Sequence, residues 1–245
     1  MNQQTTIERM KQMRLLGMAT TYHQSLTEHL YQDYTQDQFT ALLIDQEWED
    51  RQNRKIKNLT RQASFRLSAS SHDVDYTSQR KLDKNQFERL LGLQFLQSAE
   101  NVIFTGPTGV GKSYLAQAIG TAACQMLHKV QYYNTARLME QVKITKLDGT
   151  YIKLLKRLQK VALLILDDFG LTALDQHARQ ALMDILEDRY GRASTIVVSQ
   201  IPIAQWHDVI GEGTIADAIL DRLVYAAHQV ALQGDSMRKK KKLQG

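Results

Sequence analysis

The chain has 245 residues, a formal net charge of +5, 43% hydrophobic residues and a single cysteine. That length supports one sizeable core with a smaller appendage, and no apolar run is long enough for a transmembrane helix. The lone Cys124 has no disulfide partner and falls on an apolar helical face, and the histidines lack metal-ligand spacing, so neither a disulfide framework nor a zinc site is expected. The polar opening Met1-Asn2-Gln3-Gln4 carries no apolar export segment. A cytoplasmic protein with no membrane partner is expected.

Residues 1–66 predict helices. Ile7, Met10 and Met13 share a face, Gly17 interrupts, and Met18, Tyr22, Leu26 and Leu30 resume at four-residue spacing. Thr35-Gln36-Asp37-Gln38 has capping-box form and leads into Phe39, Leu42, Leu43 and Trp48. The apolar stripe then gives way to Arg51, Arg54, Lys55, Lys57, Arg61 and Arg66, with no acid among them. Such a segment is either a solvated helix end or an arm that contacts phosphates. The lack of unlike-sign partners favours the arm. Residues 1–66 are therefore expected to form a helical domain that binds DNA or a partner. Residues 67–82, with the turn-like Ala69-Ser70-Ser71-His72, are expected to form a linker, and 83–245 a second domain.

Asp83 can cap a helix bearing Phe87, Leu90, Leu91 and Phe95, which delivers the chain to a short β-branched run, Asn101–Thr105. Gly106-Pro107-Thr108-Gly109-Val110-Gly111-Lys112-Ser113 follows and fits G-x-x-x-x-G-K-[ST] at every fixed position. Tyr114, expected among the nucleotide-binding residues, and the apolar Leu115, Ile119, Ala122 and Leu127 continue it as a helix. Strand before and helix after are the context a phosphate-binding loop requires. Its glycines let successive N–H groups turn toward one anion, and the helix start adds partial positive charge. Lys112 is expected to reach the β/γ-phosphates of ATP, and Ser113 to offer its hydroxyl to Mg²⁺.

Val130–Tyr133 reads as the next strand. A helix capped at Asn134-Thr135 and another over Tyr151–Gln159 follow. Val161–Leu166 is a continuous apolar run ending in Asp167 and Asp168, which suits a strand buried on both faces with carboxylates at its C-terminal edge. Asp167 is expected to hold the metal with Ser113. Asp168 either polarises the attacking water or caps the turn at Gly170. A long helix is expected from Thr172, a buried strand over Ser194–Gln200, a helix from Thr214 through Leu223, and a last strand at Val230–Leu232. Gln200, with more reach than Ser199, is the expected contact to the γ-phosphate or the water. Arg222 either neutralises charge on the transferred phosphoryl across a subunit boundary or pairs within its own chain with Asp221, Asp217 or Asp188. Alternating strands and helices over about 150 residues predict an α/β parallel sheet covered on both faces.

With these residues in view, the chain resembles the IstB family, AAA+ ATPase helpers encoded by insertion sequences beside their transposase. The stretches that carry the resemblance are MKQMRLLGMATTY, QEWEDRQNRKIKNLTRQASF, NVIFTGPTGVGKSYLA, LLILDDFG, STIVVSQIPIAQWHDVIGEGTIADAILDRLVYAAHQV and GDSMRKKK. The resemblance implies a homo-oligomer built through its ATP sites on double-stranded DNA, helping the cognate transposase choose or prepare its target. Helicase loaders of the DnaC type are near relatives, so a loader acting on a replicative helicase is the alternative. A small-molecule P-loop kinase is disfavoured by the placement of Arg222 and by the basic arm. The resemblance further implies that Gly106–Ser113 bind phosphates, Asp167 the metal, and Arg222 stands at the arginine-finger position. Asp168 stands where most AAA+ proteins have Glu, and Gln200 where close relatives often have Asn as a first sensor. Almost nothing follows Leu232, so no C-terminal lid is evident. Arg238 either stands in for the second sensor or, with the lysines after it, touches DNA or solvent.

Overall fold

The computed structural model describes residues 2–76, 79–211 and 213–237. The chain divides into two compact units, Met1–Asn58 and Leu59–Gly245, a division inside the basic helix rather than at the turn-like stretch after it.

In the first unit, α1 (Gln3–Gln12) and α2 (Leu16–Thr27) precede α3 (Gln36–Ala63), which runs past the division. The break between α1 and α2 falls at 13–15, and Gly17 lies inside the first turn of α2. Its role is close approach, since a Cβ there would come within 2.5 Å of the Gln46 carbonyl oxygen. This contact lets the buried Glu47 of α3 accept hydrogen bonds from the backbone N–H groups of Gly17 (2.9 Å) and Met18 (3.4 Å). The N-terminus of α2, which has no side-chain cap of its own, is thereby capped from another helix. The capping box that opens α3 closes in both directions. The Thr35 N–H donates to Gln38 Oε1 at 2.9 Å and the Gln38 N–H to Thr35 Oγ1 at 3.3 Å.

The second unit is a five-stranded sheet in the order β2-β3-β4-β1-β5, parallel throughout. The strands are β1 (Asn101–Thr105), β2 (Val130–Asn134), β3 (Leu163–Phe169), β4 (Ser194–Ser199) and β5 (Ala227–Ala231). The helices are α4 (Lys84–Leu91), α5 (Gln94–Gln97), α6 (Lys112–Gln125), α7 (Thr135–Leu147), α8 (Tyr151–Gln159), α9 (Gln176–Arg189), α10 (Trp206–Ile210) and α11 (Thr214–Val224). Strand residues alternate between two cores, as a period of two demands. Val102, Phe104, Ile165 and Ile196 pack with Leu115 and Ile119 of α6 on one face. Ile103, Leu164, Leu166 and Val197 pack with α7, α8, α9 and α11 on the other. This is the doubly covered parallel sheet that the sequence predicts.

Several boundaries differ from expectation for local reasons. The long helix starts at Gln176, not Thr172, because Asp175 is the residue that caps it, accepting from the Ala178 N–H at 2.8 Å. The Asp83-capped helix splits in two at Leu93, whose φ of 59° is left-handed. The last strand begins at Ala227, ahead of the apolar Val230. Residues 67–82, read as a linker, carry buried Ala69, Val74 and Arg80, and the first two belong to the core around α6.

Candidate nucleotide-binding site

The turn leaving β1 and the acids ending β3 both lie at the C-terminal edge of the sheet. β4 stands between these strands, so their tips are separated by two strand spacings, roughly 10 Å. The first turn of α6 closes that gap. Ser113 Oγ donates to Asp167 Oδ1 at 2.9 Å. Asp167 is 1% exposed and held from three further sides. Its Oδ1 accepts from the Asp168 N–H at 2.9 Å, its Oδ2 from the Tyr132 hydroxyl at 2.7 Å, and its carbonyl from Thr135 Oγ1 at 2.9 Å. Burial, together with that bond to Asp167, pushes the Tyr132 phenol well above its ordinary pKa, so it acts as a donor.

A bulge re-aims the neighbouring acid. Leu166 pairs with Val197 and Phe169 with Ser199, so three steps on β3 match two on β4. Asp168 takes the extra position at φ 57°. Phe169 is thereby returned to the core face shared with Leu166, and Asp168 Oδ2 accepts from Asn134 Nδ2 at 2.9 Å.

Gly106 and Gly111 both have φ values forbidden to most side chains, +140° and +98°, and the Leu232 carbonyl and Arg80 guanidinium occupy the space where a Cβ would go. Lys112 is buried, and its Nζ donates to the carbonyls of Gly106 (2.7 Å) and Pro107 (2.8 Å). Desolvation lowers its pKa, while Asp167 and Asp168 oppose the shift. A desolvated ammonium satisfied only by carbonyl dipoles suits a phosphate, and the Ser113–Asp167 oxygen pair suits a hard divalent cation. The residues therefore fit ATP and Mg²⁺. Gln200 faces the same loop, its Oε1 accepting from Thr108 Oγ1. Ser199 turns away, donating to the Phe169 carbonyl at 2.8 Å. The Tyr114 hydroxyl also points away from the loop, exchanging hydrogen bonds with the backbone of Ser70 at 3.2 Å.

Sequence reasoning missed three supports of this site. Asn134 was visible only as a helix cap, and Tyr132 only as a strand residue. Arg80, 4% exposed, donates Nη1 to the Val110 carbonyl at 3.4 Å and Nη2 to the Asp75 carbonyl at 2.6 Å, bracing the loop from the supposed linker. The available signal was Asn134 ending a strand beside β3, where parallel register sets it opposite Asp167.

Arg222 is elsewhere. Its backbone carbonyl accepts from the Asn101 side chain at 2.8 Å, at the start of β1 and hence at the N-terminal edge of the sheet. The guanidinium pairs with Glu187, donates to the Ala218 carbonyl at 3.0 Å, and lies 5.7 Å from the Tyr190 ring centroid. The intrachain partner is thus Glu187, not Asp221, Asp217 or Asp188. The basic segment also differs from expectation. Arg51 pairs with Glu47 at 2.6 Å, and Arg54 with Asp50 at 2.8 Å and Glu47 at 3.5 Å. These acids precede the arginines by one or two helical turns, so the assumption that unlike-sign partners are missing fails for both. Lys55, Lys57, Arg61 and Arg66 are exposed. Arg238 and the lysines after it lie outside the described residues.

Residues 8–245 match the family model described as IstB-like ATP binding protein. The chain belongs to this family. It is 42% identical over 234 residues to the insertion sequence ATP-binding protein y4pL of Sinorhizobium fredii, covering 96% of each chain. It is 32% identical to the ATP-binding protein of insertion sequence IS21 from Pseudomonas aeruginosa, over 84% of this chain and 77% of that one. Among solved structures, AMPPCP-bound DnaA from Aquifex aeolicus superposes with a TM-score of 0.61 and 20% identity, over 74% of this chain and 56% of that one. DnaI gives 0.57 and 23%, over 72% and 93%. These structural likenesses establish the fold, a parallel sheet with a phosphate loop. This IstB-like chain is an ATP-binding P-loop ATPase of the insertion-sequence kind. Among the described residues no helix is long and apolar enough to cross a membrane.

Proposed function

We propose that this IstB-like ATPase assembles on double-stranded DNA through ATP sites shared between copies, and that the assembly helps the transposase of its insertion sequence select or prepare a target. The observation that carries this reading is the position of Arg222. It is held at the opposite end of β1 from the phosphate loop that follows Thr105, so it is out of reach of its own nucleotide, and it serves another copy's by exchanging Glu187 for the phosphate. In this reading Gly106–Ser113 cradle the phosphates, Lys112 lies toward the β/γ end, and Ser113 with Asp167 hold Mg²⁺. ATP supplies the phosphoryl group that passes to water. Asp168 accepts the proton of that water once Asn134 releases it, and Gln200 reports the state of the loop through Thr108. The names of the relatives tie them to insertion sequences, which favours a transposase over a replicative helicase as partner.

Electron micrographs of the protein on long duplex DNA, with and without a non-hydrolysable ATP analogue, test the proposal. Analogue-dependent oligomers on the DNA are expected. A monomer in every condition contradicts it.

A further inference from the structure

We infer that a basin formed by Arg66, Arg137 and Arg157 along the β2 edge of the ATPase unit binds successive phosphodiester groups of a nucleic-acid backbone. The inference rests on the assembly reading above, and adds to it a contact surface separate from the basic stretch of α3.

The basin has a volume of about 730 Å³ and runs over Tyr133 and Asn134 at the end of β2, the edge strand of the sheet. Its three arginines come from three places in the sequence: the segment after α3, the first turn of α7, and the last turn of α8. All three are exposed. Arg157 Nη2 donates to the Tyr133 hydroxyl at 2.6 Å, a contact that orients the guanidinium without neutralising it. Among the described residues lining the basin there is no carboxylate. Asp167 is buried and engaged by Tyr132 and Ser113.

Arg51 and Arg54 of α3, by contrast, are taken up by Glu47 and Asp50. Arg66, Arg137 and Arg157 have no carboxylate among the residues lining the basin, and the Asp168 carboxylate behind it is bonded to Asn134. Guanidinium forks match phosphate oxygens in two-point geometry, and three like charges sharing one open cavity repel one another until an anion comes between them. A cavity of this size exceeds what one inorganic phosphate fills. A backbone carrying a charge every 3.4 Å or so along each strand presents several at once.

The test is fluorescence anisotropy of a labelled duplex with the full-length protein and a non-hydrolysable ATP analogue, across a salt series. Arg137→Ala with Arg157→Ala is expected to weaken binding about tenfold or more, and to reduce the log–log salt slope by up to about 1.8, two phosphates at 0.9 each. Arg137→Lys with Arg157→Lys keeps the slope, because point charge suffices for a phosphate. Arg66→Ala, on another wall, is expected to reduce the slope by about 0.9, and serves if the alanine pair loses nucleotide affinity through misfolding. Inorganic phosphate at constant ionic strength is expected to leave duplex binding unchanged. Displacement by phosphate marks a small-anion site and overturns the inference. So does loss of affinity for an acidic peptide with none for DNA. If wild type binds duplex and the alanine variants match it, the basin is rejected and the assembly reading stands. If wild type binds no duplex, both fall.

Discussion

Asn134 donates its side-chain amide to Asp168 Oδ2 at 2.9 Å, while its own Oδ1 caps α7 by accepting from the Arg137 N–H at 3.3 Å. One side chain therefore both starts a helix and holds the acid next to Asp167, the proposed metal ligand. Asn134→Ala is expected to cost about 1 kcal/mol of stability through the lost cap. Asn134→Asp keeps the cap and sets a second carboxylate against Asp168. The two like charges repel, so this variant is expected to be less stable than wild type at low salt and to recover part of the difference at high salt. Urea denaturation at both salt concentrations checks this. An Asn134→Asp variant as stable as wild type at low salt would show that the two side chains do not meet.

The left-handed backbone of Asp168 separates two substitutions that remove the same carboxylate. Asparagine tolerates φ of 57°, whereas alanine at that position costs roughly 1–2 kcal/mol. Both are expected to bind ATP and lose turnover, with the lower melting temperature in Asp168→Ala. Lys112→Ala is expected to lose nucleotide binding itself. Titration with a fluorescent ATP analogue, alongside thermal melts, distinguishes the three.

Glu47 gives the first unit a pH dependence. Burial alone would raise its pKa, but the Arg51 hydrogen bond and the N–H groups of Met18 and Gly17 outweigh it, leaving the carboxyl below 4.5. A depressed carboxyl pKa contributes stability that is present above the unfolded value and is lost as pH falls through the folded one. Glu47→Gln is expected to destabilise the chain at pH 7 by roughly 1–3 kcal/mol, the scale of hydrogen bonds to a charged acceptor. The gap from wild type should narrow as pH falls below about 4.5 and through the lowered folded value. A gap that stays constant across that range would mean the carboxylate charge is not what holds α2.

Arg189 is 2% exposed and faces no acid among the described residues, yet its guanidinium serves the carbonyls of Leu158 (2.7 Å), Val161 (2.8 Å) and Ser194, and lies 3.3 Å from Thr195 Oγ1. Burial alone pushes its pKa down to about 10. Arg189→Met fills much of the volume but orphans several buried acceptors, so a loss of roughly 3–5 kcal/mol is expected in chemical denaturation. A loss under about 1 kcal/mol would mean water replaces the guanidinium there.

Much of this was legible in the sequence, and for identifiable reasons. The phosphate loop, the Ser113–Asp167 pairing and the parallel sheet follow from motif spacing and from apolar runs that end in acids. The capping box at Thr35 needed only four residues to be read. Contacts between segments distant in sequence were not legible. The Asn134–Asp168 bond depends on two strands pairing in register, and the Arg80 brace on a stretch whose composition reads as a linker. The bulge at Asp168 leaves no compositional trace, because it is set by strand register and by Phe169 returning to the core. On α3, composition misled. A cluster counted from Arg51 onward excludes Glu47 and Asp50, although helical geometry stacks them beneath Arg51 and Arg54.

The sharing of one nucleotide between two copies is tested most directly by mixing inactive subunits. Arg222→Ala and Asp168→Asn are each expected to abolish hydrolysis alone, the former by removing an arginine whose effect in trans is on the order of 10³-fold or more in rate. In an equal mixture, a site formed by the Asp168-bearing face of one copy and Arg222 of the other is intact. With random assembly, activity should return to about a quarter of wild type, well above either variant by itself. Turnover that stays at the level of the separate variants, in mixtures that still co-assemble on DNA, would contradict the account.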